Sequence, residues 1–136
     1  MSTVSDEKYL RLVLVAMEME AKKIGLSQGV AYLSVHALGT SSFTIHSKEI
    51  GEGHSLVACF AKAVQDHAQL IGQARNPQTV RLLQSRLMHF DSGMMALKKG
   101  DLIIVGFVGG DVEENLRVTR LGLGMILSPY DREEEV

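Results

Sequence analysis

Two imidazoles, His36 and His46, fall in strand-like stretches that a short turn would fold together, with His54 just beyond them. Imidazole nitrogens ligate metal ions and haem iron, so His36 and His46 are the candidate metal and cofactor ligands of this chain. A pair of solvated strand histidines has the same pattern. The spacing adds no Cys partner, no His-x-x-x-His and no carboxylate where a closed metal site needs one. The second constellation is Gly106 with Gly109-Gly110 ahead of a helix. Bare backbone before a helix start suits an anion, yet Asp111, Glu113 and Glu114 follow at once and would repel a phosphate. That leaves a structural turn, or a pocket for a neutral or amphipathic ligand with Gly106, Gly109 and Gly110 as its cofactor-binding positions. Met88, Met94 and Met95 offer soft thioethers but also read as core filler. Cys59, among Ala58, Phe60 and Ala63, reads as an inert thiol. His67 reads as a hydrogen-bonded core or interface histidine. No Ser/His/Asp order or paired carboxylates stand out, so the expectation is binding without catalysis.

These residues must be positioned by a mixture of helices and strands. Leu10, Val13, Leu14, Met17, Ala21 and Ile24 recur at helical spacing, which predicts a helix over 6–23 stopped by Gly25. Leu12, Val15 and Met19 form a second apolar stripe, which predicts a subunit interface. A hairpin follows, with strands over 30–38 and 42–50 around Gly39-Thr40-Ser41. Alternation sets Ala31, Leu33, Val35 and Ala37 against Tyr32, Ser34 and His36, and the polar face is expected to bring His36 and His46 together. A long helix over 55–73, capped by Ser55, buries Phe60, Val64, His67 and Ile71, flanked by Leu56, Ala63 and Leu70. Asn76-Pro77 stops or restarts the chain. The stretch 78–90 fits a helix through Val80, Leu83 and Leu87 and fits a strand as well. Residues 94–97 and 101–108 form a second hairpin around Lys99-Gly100. The unbroken apolar run Leu102–Val108 belongs to a central strand covered on both faces. Asp111 with Glu114 opens a last helix, expected to end at Ser128-Pro129. Its buried stripe is Val112, Leu116, Thr119, Leu123 and Ile126. Val118, Leu121 and Met125 form a further stripe beside Gly122 and Gly124, a second candidate self-association surface.

The chain has 136 residues, 46% of them hydrophobic, and a net charge of -2, which suits a single α/β domain with its own core. No basic stripe points to nucleic acid or an anionic membrane, and no apolar run is long enough to cross a bilayer. The polar N-terminus is unlike a secretory signal. The single cysteine fits a reducing compartment, so the expected location is the cytoplasm. Residues 131–136 carry four acids and one base and read as a solvated tail to a domain spanning 1–130.

Three pieces of the chain resemble the GlcG/HbpS family, also called the haem-degrading or PduO C-terminal domain. They are Ala21-Lys22-Lys23-Ile24-Gly25 before a strand, Ser55 with Lys62-Ala63, and Ile104-Val105-Gly106-Phe107-Val108-Gly109-Gly110 followed by Glu113-Glu114-Asn115 and Gly122-Leu123. The resemblance implies a profilin-like fold with a central antiparallel sheet of about five strands, a homo-oligomer, and haem or a corrinoid such as cobalamin as ligand. If 78–90 is a strand, the element order becomes that of roadblock domains. That resemblance implies a dimeric scaffold for a small GTPase or another protein partner.

Overall fold

The central strand fixes the layering. Within residues 7–39 and 44–134, which the computed structural model describes, the elements are α1 (Glu7–Lys23), β1 (Gly29–Ala37), β2 (His46–Ile50), α2 (His54–Ala74), α3 (Pro77–Leu83), β3 (Met88–Phe90), β4 (Gly93–Lys98), β5 (Asp101–Val108) and α4 (Val112–Glu134). The strands form one antiparallel sheet in the order β2-β1-β5-β4-β3. β5 sits in the middle, and its residues Leu102 to Phe107 are all buried. The five side chains of these six buried residues point alternately to the two faces, so both faces need a helical cover. α1 and α4 cover one face over Ala31, Leu33, Ile103 and Val105. α2 and α3 cover the other over Val30, Tyr32, Leu102 and Ile104. The architecture is therefore α+β, a five-stranded antiparallel sheet between two helical layers.

Local chemistry accounts for most boundaries. Lys99 (φ 52°) and Gly100 (φ 82°) are both left-handed, which is what a two-residue hairpin turn between β4 and β5 needs. At the start of α4 the capping box is closed in both directions: Glu114 N–H donates to Asp111 Oδ1 at 2.8 Å, and Asp111 N–H donates to Glu114 Oε1 at 2.9 Å. Asn76 accepts from Gln78 N–H through its side chain, so Pro77 restarts the chain as α3. The stretch 78–90 is thus both helix and strand, α3 followed by β3.

Several expectations are corrected. β2 begins at His46 rather than at residue 42, and residues 40–43 lie outside those described. Ser55 is inside α2 and donates to the Gln28 side chain, while Gly53 occupies the cap position without a side-chain bond. Pro129 does not end α4, which continues to Glu134 through the stretch expected to be a loose tail. A proline has no N–H for the carbonyl four residues back, and here the Tyr9 hydroxyl donates to that carbonyl, Met125 O. Tyr130 is buried and donates to Asp101 Oδ2 at 2.8 Å, holding the added turn on the sheet. Gly122 faces Met17 within the molecule, where a Cβ would lie 2.5 Å from Sδ. Its closeness serves α1–α4 packing, and Val118 is wholly buried in the same core. Val118 therefore cannot serve as a contact surface, although Leu121 stays partly exposed. No helix among the described residues is long and apolar enough to cross a membrane.

Gly106→Ala and Gly124→Ala should move stability in opposite directions. A Cβ at Gly106 would lie 2.1 Å from the Tyr32 ring, whereas at Gly124 it meets nothing within 4 Å. The first should cost about 1–3 kcal/mol by overpacking, and the second should gain up to about 1 kcal/mol from helix propensity. Urea melts of the two variants check both signs.

Candidate functional site

The polar side chains with unusual surroundings gather where α2 lies on β1. Tyr32 projects from β1 across Gly106 of β5, its register partner, and donates its hydroxyl to the carbonyl of Ser92. Only a glycine leaves room for that ring, so Gly106 is a packing position filled from within. One step along β1 toward α2, Ser34 is wholly buried and shares a 2.9 Å hydrogen bond with His67 Nε2. The His67 ring stands edge-on to Tyr32, with centroids 6.1 Å apart. Asp66 beside it is buried and pairs with Lys62 at 2.5 Å. Burial, then the Asp66 charge, drives the Tyr32 hydroxyl upward from its ordinary range. Burial likewise lowers His67. His36 is half-buried on the same face, and burial followed by the charge of His67 lowers it to about 4 against the opposing pull of Asp101. Burial thus disfavours the charged form of both imidazoles. A serine hydrogen-bonded to histidine is the start of a nucleophilic pair, but Ser34 has no exposure through which a substrate could reach it. Its role is to tie α2 to β1.

The two candidate ligands are not brought together. His46 is the register partner of Leu33, whereas His36 is the partner of Leu102. Directly paired residues point to the same face. Leu33 belongs to the α1–α4 core and Leu102 to the α2–α3 core, so His46 and His36 point to opposite sides of the sheet. No single haem or metal is reached by both. The glycine loop is occupied as well. Gly109 has φ 147°, and a Cβ there would lie 2.4 Å from the Gln28 carbonyl. Gly110 N–H donates to Asn115 Oδ1 at 2.8 Å. With Asp111 and Glu114 closing the next amides, the loop holds no free row of donors for an anion. None of the four described clefts is lined by His36, His46, Gly106, Gly109 or Gly110. His36 and His46 lie on opposite faces of the sheet, and the three glycines pack against the chain's own residues. The methionines divide too, Met94 entering one core while Met95 and Met88 enter the other.

Sequence patterning missed how α2 is turned. Its buried face is Ala63, Asp66, His67, Leu70, Ile71 and Ala74; His67 and Ile71 are inside as expected, whereas Phe60 and Val64, also expected inside, are 42% and 50% exposed, and Val57 is 69% exposed. On α1, Leu12, Val15 and Met19 are exposed as expected, at 61%, 40% and 65%. The sheet lies between these two apolar surfaces. The buried serine and histidine were the available signal for the turn of α2, because each needs a partner inside. Comparison with family models, with curated proteins and with solved structures finds no match to this chain.

The lowered imidazoles predict acid sensitivity with a definite sign. A histidine near 6.5 when unfolded and near 4 when folded takes up its proton first in the unfolded chain. Stability should be whole above about pH 6.5 and decline as pH falls toward 4. His36→Gln should flatten that decline in chemical melts recorded across the window. An unchanged slope would mean that His36 is not held neutral by the fold.

Proposed function

We propose that this chain is a non-catalytic, self-associating scaffold of the roadblock type that presents apolar helical faces to protein partners. The observation that carries this reading is the pair of exposed apolar surfaces, Leu12, Val15 and Met19 on α1 and Val57, Phe60 and Val64 on α2. Clustered large apolar side chains of this kind on a small domain mark interaction sites. The element order supports the same reading, since β3 completes the α-β-β-α-β-β-β-α series once the short α3 is set aside. A small GTPase is the partner class that the roadblock resemblance suggests. Haem or corrinoid binding is the weaker reading, because the histidines point apart and the glycines are filled by the chain itself.

Sedimentation velocity at a concentration on the order of tens of micromolar should show an oligomer. Haemin titration should give weak, unsaturable absorbance changes equal in wild type, His36→Ala and His46→Ala. A saturable one-to-one complex whose sharp Soret band is lost in either variant would replace the scaffold with a haem-binding domain.

A further inference from the structure

The bases of this chain are unevenly placed. Between Asp66 and Asp101 lie Arg75, Arg81, Arg86, Lys98 and Lys99 and a single acid, Asp91, in a chain whose net charge is -2. Asp91 sits at the β3–β4 turn, whereas Arg86 and Lys98 stand at the opposite end of that hairpin. The acids near Lys98 are already engaged. Asp131 pairs with Lys98 at 3.7 Å, and Asp101 accepts the Tyr130 hydroxyl. Arg75, Arg81 and Arg86 are exposed, and among the described residues none of them meets a carboxylate.

The helical turn runs on past the end of α3. Gln84 N–H donates to the Val80 carbonyl, and the Ser85 and Arg86 N–H groups donate to that of Leu82. Leu82 and Arg86, four apart, therefore share one face, with exposed Arg81 and Ser85 beside them. Leu82 and Leu87 are 41% and 46% exposed. Next to this turn a cleft of about 290 Å³ opens between it, β4 and the end of α4. Leu83, Leu87, Leu97 and Leu127 give it an apolar lining, and Arg86 and the Lys98–Asp131 pair complete it.

Small-molecule sites occupy roughly 300–1,000 Å³, so this cleft suits one side chain of a larger partner. Guanidinium groups take carboxylates through two parallel N–H bonds. Nucleic acid would leave the four leucines unused, and Asp131 would repel its phosphates. Anionic membranes are held by clusters of about four to eight bases, more than the three unpaired arginines, and a bilayer does not enter a cleft. We infer that this end of the molecule binds an acidic peptide segment of another protein, with an apolar anchor side chain in the leucine-lined cleft and carboxylates on Arg86 and Arg81. The surface belongs to α3, β4 and the end of α4, so the inference goes beyond the scaffold reading and does not depend on it.

Selection of phage-displayed dodecapeptides on the full chain tests it. Enriched sequences should carry a leucine or aromatic residue flanked by Asp or Glu. A labelled peptide of the most enriched sequence should bind roughly tenfold more weakly to the double variant Arg81→Glu, Arg86→Glu, as reversed rim charges would. Leu87→Ala should weaken it roughly fivefold by removing part of the anchor's contact. These side chains are exposed, so circular dichroism melts should stay nearly unchanged. Selection repeated on the double variant should exchange acidic flanks for basic ones. If that variant folds poorly, Arg81→Gln with Arg86→Gln should abolish the acidic preference. Sequences enriched without acidic flanks, or the same sequences enriched on the double variant, overturn the inference, as does no enrichment over a blank surface. Binding to phosphatidylserine–phosphatidylcholine vesicles that is lost in the double variant, with no peptide enriched, makes this surface a membrane contact instead.

Discussion

A strand that is apolar at six successive positions cannot have one wet face, and β5 imposes that condition on everything around it. Its odd residues, Ile103, Val105 and Phe107, enter the α1–α4 core, and Leu102 and Ile104 enter the α2–α3 core. Two helical layers are the smallest cover that meets the condition. A domain of this size spends its apolar surface on the two inner interfaces, and among the described residues the outer sides of α1 and α2 keep Leu12, Val15, Met19, Val57, Phe60 and Val64 exposed. Their exposed valines, leucines, methionine and phenylalanine follow from the layering.

Which outer surface α2 presents is set by a few buried polar atoms. An apolar helix face tolerates rotation, because dispersion contacts are non-directional and can be re-made. The Ser34–His67 hydrogen bond cannot be shifted in this way, since both groups are buried and each would lose its partner. The Gln69–Ser92 bond on the opposite flank fixes the same rotation from the other side. With α2 pinned at both flanks, Phe60 and Val64 are held out toward the β2 edge. The lowered pKa of His67 and of His36 belongs to the same arrangement, because burial under α2 disfavours the charged imidazole.

Much of this fold was legible as periodicity. The α1 face Leu10, Val13, Leu14, Met17 and Ala21, the double-sided burial of β5, the Lys99-Gly100 turn and the Asp111–Glu114 box depend on residues near one another in the chain, where spacing is information enough. The rest depended on partners far away. Pro129 reads as a stop until Tyr9, 116 positions earlier than Met125, is seen to satisfy the carbonyl that the proline leaves. His36 and His46 look like neighbours because alternation assigns faces within each strand, whereas the Leu33↔His46 register decides how the two strands' faces correspond. A shift of one residue in that pairing exchanges the faces, and turn composition did not determine it. Gly106 looked like a ligand cradle because its other occupant, the Tyr32 ring, comes from a strand remote in sequence. Phe60 and Val64 were placed inside on hydrophobicity, and Ala63, Asp66 and Ala74 took the interior because small side chains allow α2 to lie close to a sheet that already carries Tyr32.

The two exposed helical surfaces also differ in what they can recognise. The α1 stripe is bordered by charges of both signs, with Arg11 paired to Glu7 and Lys22 paired to Glu18 on the same helix. Ion pairs already satisfied within one helix give little orientation to an incoming partner. On such a face, affinity depends on apolar contact and specificity on the partner's shape. The exposed α2 residues Val57, Phe60 and Val64 have no free charge beside them on the helix, because Lys62 and Asp66, the Lys, Arg, Asp or Glu residues of α2, pair with each other. Because the sheet separates the two surfaces, occupying one does not obstruct the other.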